Sequence, residues 1–216
     1  KLAQYQDQFE IAQLRQTLVT LGYQEAISFS FADLKLEKQL NAVVNPLALA
    51  NPISSDLAVM RSTLLSSLIP CVQYNVNRQQ SRVRFFELGL RFDSQDAEFI
   101  HDLKQIPTLA VIATGAKTSE TWHAKPQAMD FFDFKGEIEE VLAAGRVQVD
   151  YVRSERSWLH PGQSAEVLVD GQSIGYFGRL LPSLEDMLDL STTWVAELDQ
   201  SAVLQTYVSN FTDLSR

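Results

Sequence analysis

The chain has 216 residues, 45% hydrophobic and 21% charged, which suits one large soluble domain or two small ones. Its 18 Lys and Arg against 27 Asp and Glu leave a net charge of −9, which excludes a broad nucleic-acid-binding surface, since phosphate neutralisation needs clustered cations. The only cysteine, Cys71, excludes an intrachain disulfide framework and a Cys-based zinc site, and no apolar run reaches the ~20 residues of a membrane span, so a reducing, cytoplasmic setting is expected.

Ile11, Leu14, Leu18 and Leu21 recur at helical spacing, and Gly22 supplies a stop, so a helix is predicted within 9–25. "AISFSF" (26–31) alternates and predicts a strand, and "DLKLEKQL" a short helix. Two Asn-Pro steps, at Pro46 and Pro52, mark extended or turn chain. From Asp56 to Gln80, Leu65, Leu68, Ile69, Val72 and Val76 form a helical stripe, with Pro70 either in an early turn or at a kink.

In "RVRFFELGLRF" (82–92), Phe86, Leu88, Leu90 and Phe92 face one way, and Val83, Phe85, Glu87, Gly89 and Arg91 the other. A buried strand is expected at 106–115. A helix is expected at 130–144, with Phe134, Ile138, Val141 and Leu142 inside and Asp130 and Asp133 at its start. "VQVDYV" alternates, and "SAEVLVDGQSIGYFGRL" is a hairpin turning at Asp170-Gly171. A short helix over "PSLEDMLDL" and a strand over "TWVAELD" follow. Adjacent strand pairs without a strict βαβα order predict an α+β class, an antiparallel or mixed sheet flanked by helices.

Chemistry is sparse. His101, His123 and His160 form no metal-ligand pair, and His160-Pro161-Gly162 reads as a tight turn. No phosphate loop, dinucleotide fingerprint or nucleophile elbow is present. Cys71 on an apolar helix reads as a buried structural thiol. Glu87 and Arg91 share a strand face beside Phe85, as either a cross-strand ion pair or the wall of a cleft. Arg78, Arg82 and Arg84 make a local basic spot, read either as a solvated helix end or as an RNA contact.

The strings "LRQTLVTLGYQEAISFSF", "NPISSDLAVMRSTLLSSL", "YNVNRQQSRVRFFELGLRF", "LHPGQSAEV" and "IGYFGRLLPSL", in that order, resemble the bacterial phenylalanyl-tRNA synthetase beta-subunit family over about Phe9 to Leu198. The resemblance implies a class II aminoacyl-tRNA synthetase-like antiparallel sheet flanked by helices over 1–199, catalytically silent. It also implies that 200–216 begins a link to a C-terminal module, and that the chain is a segment of a longer polypeptide. The family's enzyme is a heterotetramer of two alpha and two beta chains that attaches phenylalanine to its tRNA. ATP, Mg2+ and the amino acid are handled by the alpha subunit, and tRNA mainly by other beta modules. No catalytic residue, metal ligand or cofactor is expected in this segment.

The resemblance also implies site roles. Residues 51–80 are similar to an interface motif, with Arg61, Leu64, Leu65, Leu68, Val72, Tyr74, Val76 and Arg78 facing the alpha subunit and part of that apolar surface exposed in this chain. The strand carrying Phe85, Glu87, Gly89 and Arg91 is similar to the motif that grips ATP, but degenerate. An active copy has Arg two residues before the Glu, where this chain has Phe85, and Arg84 must face the other way. Gly178 and Arg179 are at best a remnant of the third motif. The alternative is a residual ATP or amino-acid cleft lined by Glu87, Arg91 and Arg179.

Overall fold

The computed structural model describes residues 2–40, 45–94, 100–118, 126–143 and 148–208. The helices are α1 (Leu2–Thr20), α2 (Leu34–Gln39), α3 (Leu65–Val76), α4 (Phe131–Leu142), α5 (Pro182–Met187) and α6 (Gln200–Val208). The strands are β1 (Gln24–Glu25), β2 (Phe31–Ala32), β3 (Val59–Met60), β4 (Arg82–Asp93), β5 (Lys104–Gly115), β6 (Val149–Arg153), β7 (Leu159–Val169), β8 (Gln172–Leu180) and β9 (Thr193–Asp199). Seven strands form one sheet in the order β1-β4-β5-β9-β8-β7-β6, and β2 pairs with β3 separately. Every neighbour pair in the large sheet is antiparallel except β1 with β4. The α+β expectation holds, with a mixed sheet.

Side-chain alternation gives the sheet two apolar faces, each covered by helices. On one, Leu14 and Leu18 of α1, Phe134 and Ile138 of α4 and Val203 of α6 pack against Phe86, Val111, Phe177 and Trp194. On the other, Leu65, Leu68, Ile69 and Val72 of α3 and Leu184 of α5 pack against Val83, Ile112, Val195 and Tyr176. Local chemistry sets the element ends. Gly22, at φ +86°, lets the chain leave α1. Asp130 and Asp133 form a capping box on α4, with reciprocal bonds of 2.8 and 3.1 Å. Asp170 and Gly171, both at positive φ, make the two-residue β7–β8 turn.

Three expectations change, and one open alternative is decided. Residues 26–31 do not form one strand: only 24–25 and 31–32 pair, while Ile27 and Phe29 are 93% and 64% exposed. Of the two placements open to Pro70, the structure takes the one inside the helix, five residues past the first of α3. His160 to Gly162 lie within β7, where its register with β8 shifts, and the His160 Nδ1 accepts from the Gly162 N–H at 3.1 Å. The segment after 199 begins as α6, whose Val203 is fully buried in the core. Residues 209–216 and His123 lie outside the described residues.

Candidate functional site

The segment Arg61–Leu64, which leads into α3, is held by three buried carboxylates from three different elements. Glu87 of β4 pairs with the Arg61 guanidinium at 2.9 Å and accepts from the Ser28 hydroxyl at 2.6 Å. Arg61 also donates from Nε to the Leu90 carbonyl at 2.9 Å. Glu37 of α2 accepts from the Ser62 hydroxyl and from the Ser62 N–H at 3.2 Å. Glu197 of β9 accepts from the Thr63 hydroxyl and the Leu64 N–H at 2.9 and 2.8 Å, and its second oxygen accepts from Tyr176 at 2.8 Å. Leu64 provides no side-chain cap for α3, so a carboxylate from a remote strand satisfies amides at the helix entrance. Burial raises the Glu37 carboxyl above its ordinary value, against the lowering pull of the Ser62 hydrogen bonds. Burial, with Glu197 adding to it, drives the Tyr176 phenol far above 10.

Of the residues singled out on β4, Phe85, Glu87 and Gly89 are engaged or packed, and Arg91 is not. Phe85 packs with the α3-side core. Glu87 is paired with Arg61, and not with Arg91 as the shared strand face allows. Gly89 leaves room for that pair: a Cβ there would sit 2.6 Å from the Arg61 Nη2. Arg84 faces the opposite side, as alternation requires, bonded to Glu137 of α4 and lying over the Tyr23 ring. Arg179 is bound by the buried Glu185, with contacts of 2.7 and 3.1 Å, beside Gly178, whose missing side chain lets β7 approach.

The three arginines of the basic spot do not form one surface: of them only Arg78 is exposed. Arg84 is buried, Arg82 is half-buried against the Lys117 carbonyl, and Arg78 stacks on Tyr74. The interface set is largely internal as well. Arg61, Leu64, Leu65, Leu68 and Val72 are buried in this chain, Val76 is half-buried, and Tyr74, at 58%, is the exposed apolar member. The reason is geometric: α3 lies across the middle of the sheet and needs its wide stripe there.

Sequence reasoning missed Ser62, Thr63, Glu37 and Glu197. The available signal was an acidic residue inside each of two otherwise apolar-periodic segments, "LKLEKQ" and "TWVAELD". It also missed a groove of ≈ 650 Å3 between α3 and residues 27–36, lined by Ile27, Phe29, Leu57, Pro70, Cys71 and Leu188. Cys71 is half-buried there, and burial raises its thiol pKa. Among the described residues, no cluster of three or more His, Cys, Asp or Glu is placed to hold a metal, and no helix is long and apolar enough to cross a membrane.

Residues 3–200 match the family described as phenylalanyl tRNA synthetase beta chain CLM domain. The chain belongs to that family. It is 77% identical over its whole length to the phenylalanine–tRNA ligase beta subunit of Acinetobacter baylyi, of which it covers 27%. It is 52% identical over 89% of its length to that of Psychrobacter arcticus, covering 24%. With that of Pseudomonas fluorescens the identity is 44% over 96%, covering 26%. The chain thus spans about a quarter of the length of these relatives. Within this domain, the buried network around Arg61 ties the segment 61–64 to β4.

Proposed function

We propose that this chain is a catalytically silent, class II synthetase-like core in the beta subunit of a phenylalanine–tRNA ligase, acting as scaffold and subunit interface. The supporting observation is the occupied face of β4: Phe85 packs half-buried against the α3-side core, and Glu87 is neutralised by Arg61. The residues present do not fit ATP. No arginine stands two positions before Glu87, and Arg84 and Arg179 are bonded to Glu137 and Glu185. No activation step runs through this chain. ATP and Mg2+ belong to the alpha subunit of the cytoplasmic enzyme, built of two alpha and two beta chains, and tRNA is met mainly by other beta modules.

The surface offered to alpha is the groove bordered by Ile27 and Phe29, continued by Tyr74 and Arg78 on the outer side of α3. Exposed apolar side chains of this size, gathered beside a groove, are a feature of protein interfaces. Phenylalanine-dependent ATP–pyrophosphate exchange by the full-length beta chain, with and without alpha, tests the assignment. No exchange alone and full exchange with alpha is expected. Exchange by the beta chain alone overturns the silent-core reading.

A further inference from the structure

The face of the sheet that carries α3 changes character along its strands. Near α3 it is apolar, with Val83, Phe85, Ile112 and Val195. Past the Arg61–Glu87 pair it turns polar and is left open as a cleft of ≈ 300 Å3 whose lining includes Arg91, Thr108, Glu197 and Asp199. That volume is at the small end of ligand sites. Its floor is formed by Thr108 and Asp199, side by side on β5 and β9.

The charges of the cleft are unbalanced in a specific way. Arg91 is half-buried and makes no hydrogen bond or ion pair among the described residues. Glu197 is buried and held by neutral donors alone, the Thr63 and Tyr176 hydroxyls and the Leu64 N–H. Arg156, also in the lining, is already neutralised by Glu166 at 2.8 Å and lies over the Tyr176 ring. The Asp199 carboxylate accepts from the Ala202 N–H. One guanidinium without an anion and carboxylates without a cation therefore share one small cavity, against an apolar wall of Leu40 and Trp158. A nucleotide has the wrong charge for it, because two carboxylates oppose its phosphates.

We propose that this cleft binds a small zwitterion, an α-amino acid with an apolar side chain. Its carboxylate pairs with Arg91, its ammonium faces Glu197 and Asp199, and its side chain lies along Leu40 and Trp158. The ligand's carboxylate then matches Arg91, and its ammonium sits between two carboxylates that have no cation of their own. The site is separate from Glu87 and Arg179, whose side chains are already paired.

The test is calorimetric titration of L-phenylalanine into the full-length protein in its native assembly, compared with Arg91→Met and Ser173→Tyr variants. Ser173, at the exposed rim, is enlarged to narrow the mouth. Sites elsewhere in the assembly are common to all three and subtract out. The unmodified protein is expected to show one additional site per beta chain, weakened at least tenfold by Arg91→Met and lost in Ser173→Tyr. Arg91→Lys should recover part of the affinity. Neither 3-phenylpropionate nor 2-phenylethylamine, each lacking one charge, should displace phenylalanine from that site. Identical titrations of all variants overturn the site, and equal competition by 3-phenylpropionate overturns its zwitterion selectivity.

Discussion

At the scale of single residues, the molecule depends on pairing charges that it buries. Arg61 and Glu87 are 2% and 3% exposed, so losing one partner strands the other without water. Arg61→Met is expected to lower unfolding stability by about 3–5 kcal/mol, and the double change Arg61→Met, Glu87→Met by much less. Urea unfolding of the four species of the cycle measures this, and equal losses in the single and double variants refute it. Glu37 tests pH. Its folded pKa is raised above 4.5, so folding takes up protons between 4.5 and that raised value. Its contribution is therefore most favourable below 4.5 and falls as pH rises through the window. Glu37→Gln, which can still accept from Ser62, removes that slope. The stability difference, variant minus unmodified, should grow in the variant's favour with rising pH and level off above the folded pKa. A flat difference from pH 4 to 8, followed by urea unfolding, refutes it.

At the scale of elements, α3 has two sides with different duties. Leu68 is fully buried against the sheet, while Phe29 and Ile27 stand exposed beside the helix's outer side. Leu68→Asp places an unpaired charge in the core and should prevent stable folding. Phe29→Asp should leave the thermal midpoint within a few degrees and weaken association with alpha at least tenfold, measured by sedimentation of mixed subunits. Equal effects from both changes refute the division. The same region shows what a sequence can convey. Period-3.6 stripes at Leu14 and Leu18, and at Phe134 and Ile138, were legible because a single helix face reports its own burial. The alternation in "AISFSF" truly reported an apolar face, yet pairing with β4 stops near Ala26, whose N–H reaches the Phe86 carbonyl. Alternation reveals a face and is silent about who covers it. The site was less legible than the fold. Phe85 and the opposed Arg84 follow from period 2 alone, but the partner of Glu87 lies 26 residues away and that of Thr63 lies 134 away. No local pattern encodes such contacts.

At the scale of the whole molecule, the acidic charge and the absorbed Arg84 agree: a cation that looked available for RNA holds α4 to the sheet instead. The long reach of Glu197 also fixes an order of events during synthesis. The entrance of α3 emerges from the ribosome first, but the carboxylate that accepts from the Leu64 N–H is 133 residues downstream. At roughly 5–20 residues per second, that leaves a delay on the order of ten seconds. During that time the α3 apolar stripe has neither β9 beneath it nor its remote cap. A nascent chain stalled before residue 193 should bind a holdase chaperone, and one released past β9 should not, as read by crosslinking. Equal crosslinking of both would show that α3 docks without its last strand. Strand β9 is thus the latch for a helix made more than a hundred residues before it.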